Sequence, residues 1–119
     1  MNKTEMKRFI VNELNKFSFN RYTKGFRYLC ETIFICINDE EKMNNLSKNV
    51  YPIIAKKHKE KNSTKIKWCI EQVLKTMYNN TDNRIICNYF SIQENKKPSI
   101  KLVVYTIVCK YEWSNFNNN

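Results

Sequence analysis

Apolar residues recur along this chain at spacings of three and four, the period of a helix with one buried face. From about Lys3 to Phe17 the face is Met6, Phe9, Ile10, Leu14 and Phe17, with Thr4 as the expected cap. From about Thr23 to Ile37 a wider stripe (Phe26, Leu29, Cys30, Ile33, Phe34, Ile37) marks a central helix. A third helix is expected over about Ser47–His58, with Pro52 in its first turn, where a missing N–H costs little. The clearest pattern is about Thr64 to Tyr78. Ile66, Cys69, Ile70, Val73, Leu74 and Met77 fall on one side, and polar residues with one Trp on the other. A short piece spans about Arg84 to Phe90, and a polar loop follows to Lys97. The last segment, Pro98 to about Trp113, has helical spacing but β-branched composition. The length of the periodic run and Ser99 as a cap favour a helix over a strand. Residues 114–119 are expected to fray. No linker or repeat divides the chain, so residues 1–119 read as one domain.

Composition removes several function classes. One glycine and two prolines in 119 residues exclude Gly-rich phosphate loops and argue against turn-rich all-β folds. Five cysteines lack CxxC spacing, and the single His58 has no Cys near it, so neither a zinc site nor any other cofactor is expected. Cysteines inside apolar runs read as small hydrophobes in a reducing cytoplasm. No run is long enough for a signal peptide or a membrane span. No nucleophile–base pair or paired carboxylates stand out, so an enzyme is not expected, nor is a small-molecule ligand.

Charge adds the partner. The chain carries 21 Lys+Arg against 11 Asp+Glu, a formal net charge of +10. That balance points to a polyanion, although an AT-rich genome also inflates Lys. Between Lys48 and Lys75, eight Lys face two Glu. There the pattern is helix, short polar turn, helix with a polar outer face, which is the helix-turn-helix layout whose second helix enters the DNA major groove. Lys65, Lys67, Trp68, Glu71 and Gln72 are the base-reading candidates. Lys and Gln match guanine and adenine edges, Glu accepts from cytosine, and Trp packs on a thymine methyl or on sugar. Phosphate-contact candidates are Lys56, Lys57, Lys59, Lys61, Ser63, Thr64 and Lys75, with Arg21, Lys24 and Arg27 before the second helix. Duller roles compete: Glu71 pairing with Lys67 or Lys75, Ser63 or Thr64 capping the helix, His58 packing near the turn.

The motifs Lys24-Gly25-Phe26 with Tyr28-Leu29, Asn38-Asp39, the string Val50 to Lys57 (VYPIIAKK), an aromatic at Tyr78, and Lys97-Pro98 together resemble one family. It is the C-terminal DNA-binding effector domain of the sporulation master response regulator of endospore-forming Firmicutes. The similarity covers nearly the whole chain, and the YPxIAKK string is its most specific part. The resemblance implies an all-α fold of about six helices around a helix-turn-helix. It also implies sequence-specific binding of double-stranded DNA, with domains able to line up in tandem. In that family a receiver domain precedes the effector. Met1 standing directly before the effector region suggests a standalone domain without one. The family's recognition helix is rich in Arg, with a His further along. Here Lys65, Lys67, Trp68, Glu71 and Gln72 stand at those positions, so a different, AT-richer site is expected.

The expected function is a transcriptional regulator, or a DNA-binding accessory factor of a plasmid, phage or conjugative element. The apolar end of the chain (Val104, Ile107, Val108, Trp113, Phe116) leaves room for a homodimer or tandem binding on DNA. The competing reading is an interaction module that antagonises or partners a full-length sporulation-type regulator without reading DNA.

Overall fold

In the computed structural model, which describes residues 2–117, the chain is all-α. Six helices have seven residues or more: α1 (Lys3–Leu14), α2 (Lys24–Asn38), α4 (Tyr51–Lys57), α5 (Ser63–Asn80), α6 (Asn83–Phe90) and α7 (Ile100–Asn117). A four-residue helix α3 (Leu46–Asn49) and a 3-10 turn over Glu40–Asn44 join α2 to α4.

Helix α2 is the centre. Leu29, Ile33 and Cys36 are fully buried along it, because α1, α4, α5 and α7 all pack against it. Its one buried polar side chain, Thr32, donates its hydroxyl proton to the Tyr28 carbonyl at 2.8 Å and so carries no unmet hydrogen bond. From α5 come Ile66, Ile70 and Met77, and from α7 Val103, Val104, Ile107 and Val108.

Gly25 sets how closely α2 and α5 approach. A Cβ at Gly25 would lie 2.2 Å from the Cys69 carbonyl oxygen and 3.0 Å from Val73 Cβ. Any side chain there pushes the two helices apart.

The structure corrects four details of the sequence reading. Asn2, not Thr4, caps α1, accepting from the Glu5 amide at 2.9 Å. Helix α1 stops at Leu14, and Phe17 reaches the core from the following turn, stacked on Phe90 at 5.4 Å. The third helix is two helices. Val50, at φ −120°, separates α3 from α4. Pro52 has no N–H for the Lys48 carbonyl, and its ring crowds that carbonyl, so the chain cannot run straight through. Finally α7 continues through residue 117, past Ser114, where the sequence predicts a frayed tail. Phe116, on that extension, stacks on Trp113 at 5.8 Å. Residues 118–119 of that tail lie outside the described residues.

Helix, not strand, is the state of the last segment. Its β-branched residues fall on the buried face, where packing outweighs intrinsic preference. Ser99 Oγ accepts from the Leu102 amide at 3.1 Å, as its position before the helix suggests.

Candidate nucleic-acid interface

Helix α4, a turn over residues 58–62, and α5 form the helix-turn-helix. The turn closes through two devices. Lys59 adopts φ 56°, a left-handed conformation unusual for a non-glycine residue, and the Glu60 amide donates to the Ala55 carbonyl at 2.9 Å. Asn62 then caps α5, its side chain accepting from the Lys65 amide at 3.1 Å. The cap is therefore Asn62, and Ser63 and Thr64 are the first helical residues rather than caps. Their amides belong to the first turn, which lacks intrahelical acceptors and favours anions.

Beneath the turn lie two carboxylates. Glu31, from α2, takes Lys57 Nζ on one oxygen at 2.5 Å and His58 Nε2 on the other at 2.6 Å. The His58 ring also packs on Tyr28, with centroids 5.2 Å apart. Glu60 turns inward and meets Lys24 Nζ at 3.5 Å through Oε1, and its Oε2 is buried. Burial, helped by the nearby Glu60 charge, raises the pKa of the Tyr28 phenol. The turn is thus tied to α2 at two points, which fixes where α5 begins.

The outer face of α5 is open. Lys65, Lys67, Trp68, Glu71, Gln72 and Lys75 are all exposed on it, with Trp68 52% exposed. Lys65 Nζ sits 4.8 Å from the Trp68 ring centre, so a cation–π contact holds the two side chains together. Among the described residues no ion pair joins Glu71 to Lys67 or Lys75, which leaves the Glu71 carboxylate free to accept.

Two grooves flank this face. On one side Trp68 and Gln72 border a groove of about 250 Å³ shared with Asn20, Thr23 and Lys24. On the other, Lys67, Glu71 and Lys75 border a groove of about 670 Å³ that reaches Ser47 on α3, Lys97 in the loop before α7 and Lys101 in its first turn. The Tyr78 hydroxyl donates to the Pro98 carbonyl, and Lys97 lies over the Tyr78 ring at 6.0 Å. These contacts fasten the entrance of α7 beside α5.

The sequence-picked cations therefore divide. Lys24, Lys65, Lys67 and Lys75 border the α5 face, and Lys59 and Lys61 stand exposed in the turn at its N-terminal end. Lys56 is exposed near the end of α4, and Arg21 is exposed in the loop before α2. Arg27 and Lys57 line a different groove, between α1, α2 and α4, and Lys57 is already engaged by Glu31. Lys97 and Lys101 also border the larger groove beside α5, and neither was among the cations picked from the sequence. Their signal is a pair of lysines around the entrance to the last helix, which matters only once α7 is known to begin beside α5.

Elsewhere burial keeps the thiols protonated, pushing Cys30 up to about 12 and Cys36 up to about 11. No described helix is long and apolar enough to cross a membrane.

An all-α helix-turn-helix whose second helix presents a polar, cation-flanked face defines the class. The family model described as "Sporulation initiation factor Spo0A C terminal" matches residues 10–110. The chain belongs to that family, one of DNA-binding effector domains rather than enzymes. A search among curated proteins finds no match.

Proposed function

We propose that this protein binds double-stranded DNA sequence-specifically, with α5 in the major groove, and acts as a cytoplasmic transcriptional regulator or as a DNA-binding accessory factor of a plasmid, phage or conjugative element. The observation that carries this reading is the uncovered α5 face. Lys65, Lys67, Trp68, Glu71 and Gln72 project from one helix of major-groove size, with Lys24 on one flank and Lys75, Lys97 and Lys101 on the other. Lys65 and Gln72 read bases, Glu71 accepts from a cytosine amine, and Trp68 covers sugar or a thymine methyl. Lys59, Lys61 and Lys75 meet phosphates, as do the Ser63 and Thr64 hydroxyls or amides, while Lys24, paired with Glu60, adds charge beside them. Lys56 and Arg21 serve the outer edge of the same footprint.

The stacked Trp113–Phe116 pair, 66% and 71% exposed, supports a contact between copies lined up on DNA. The test is selection from random duplexes followed by titration at several salt concentrations. The expected result is an enriched motif bound with a steep salt dependence. Lys65→Ala or Gln72→Ala should cut the preference for that motif about tenfold. If random DNA binds as well as any selected duplex, the sequence-specific reading fails. The genomic position of the motif, beside promoters or a transfer origin, separates regulator from accessory factor.

A further inference from the structure

The helix-turn-helix leaves part of the basic charge unused. Lys3 and Lys7 on α1, Arg27 on α2 and Lys57 on α4 converge on the groove of about 400 Å³ between those three helices. None of the groove's lining belongs to α5. Its floor is apolar: Val11, Cys30, Phe34 and the exposed edge of Ile53. The two α1 ammonium groups each lie 5.8 Å from the Phe34 ring centre, so both exposed side chains stand over the edge of the floor. Glu31 is the acidic residue among those lining the groove, and it is shared between Lys57 and His58.

A groove of this kind selects its occupant by two criteria. The floor is covered only by aliphatic or aromatic side chains. Cations stand on the α1 side and also on the α2 and α4 sides, so a single carboxylate leaves most of them unanswered. A helix with one apolar stripe and acidic residues along both edges answers Lys3, Lys7 and Arg27, the cations that Glu31 does not pair. We propose that the α1–α2–α4 groove docks an acidic amphipathic helix of a partner protein, on a face separate from the one assigned to DNA. A second copy of this chain is disfavoured as occupant, because it brings more positive charge to an already positive rim.

The probe is a fluorescein-labelled peptide of about 18 residues, with Leu at helical positions i, i+3, i+4 and i+7 and Glu on both flanks. Its control has the same composition with the Leu residues spread around the helix. Anisotropy titrations use the full chain. The patterned peptide is expected to bind, more weakly as salt rises, and the control to bind at least about tenfold more weakly. Lys3→Glu with Lys7→Glu should weaken binding by about tenfold or more, and Ile53→Asp should abolish it. Ile85→Asp, which introduces the same change on α6, should leave it unaltered. Circular dichroism shows whether each variant keeps its fold; should Ile53→Asp lose it, Ile53→Ser replaces it in the same titration. Equal binding of the two peptides, or unchanged binding in the Lys3→Glu/Lys7→Glu variant, overturns the proposal. So does an Ile53-dependent dimer in light scattering, or Ile53-dependent binding to phosphatidylglycerol vesicles with no binding of the peptide. None of these readouts uses DNA, so failure here leaves the DNA reading standing.

Discussion

Two basic surfaces of this small protein differ in what lies between their cations. Around α5, lysines flank a ridge of polar and aromatic side chains that stand proud of the core. Between α1, α2 and α4, lysines and an arginine surround an apolar hollow. A ridge with hydrogen-bonding groups suits a groove lined by base edges, and an apolar hollow does not. On the proposed reading, net charge calls for a polyanion or an acidic partner, and the chemistry between the charges tells the two surfaces apart.

Removing the seat of α5 should disturb the comparison most. Gly25→Ala places a Cβ against the Cys69 carbonyl, so α5 must shift from α2. A loss of about 1–3 kcal/mol of stability is expected, read by chemical denaturation. DNA binding should fall further than stability alone explains, while the α1–α2–α4 groove keeps its shape. If affinity for DNA survives in the folded fraction, α5 does not need that seat.

Next come Lys97 and Lys101. Changing both to Ala should lower the salt slope of DNA binding by about two without changing the selected motif, since phosphate contacts carry no base information. An unchanged slope would confine the DNA surface to α5 and the turn. The matching pair Lys3→Ala and Lys7→Ala should leave the slope alone, and a drop there would merge the two surfaces into one.

Alkaline pH should have a smaller effect. Cys30 and Cys36 are held protonated by burial, to about 12 and 11, against a usual value of 9.0. Their folded-state pKa values are raised, so the stability they protect is whole below about 9 and declines as pH rises from there toward 11–12. Urea midpoints should therefore fall between pH 8.5 and 10.5 in the wild type and less in a Cys30→Ala/Cys36→Ala variant. The smallest change is expected at α6. Asp82 caps it through the Arg84 amide at 2.9 Å, and hydrogen bonds from Arg84 hold the carboxyl below its usual range. Being exposed, it should contribute little. That contribution is present above the usual carboxylate pKa and is lost as pH falls through the lowered one. Asp82→Asn should leave both surfaces working.

Helix spacing made α1, α2, α5 and α7 readable because each buries a continuous face, and burial imprints its period on the sequence. The kink at Val50 was harder. Pro52 is compatible with a first helical turn, and only the neighbouring α3, itself four residues long, turns it into a break. Caps were misplaced for a related reason. Asn2 and Asn62 stand beside Ser and Thr residues of similar capping strength, and backbone geometry chooses among them. The α5 face was legible because all its members lie on one helix. The separation of Arg27 and Lys57 from that face was not. It depends on Glu31 and Lys57, 26 positions apart, meeting across the α2–α4 contact. Lys97 needed the same long-range knowledge, since Tyr78 fastens it beside α5 from 19 residues earlier in the chain.

The contact at Gly25 has a consequence for how such domains diversify. On the α5 side it is made largely by a main-chain carbonyl, which every amino acid at position 69 supplies. The joint that seats the helix is written in the backbone, and the lettering on its far side is written in side chains. One can be rewritten while the other stays fixed. A library varied at 65, 67, 68, 71 and 72 should therefore yield many folded proteins with different DNA preferences, like type blocks cut to one standard height.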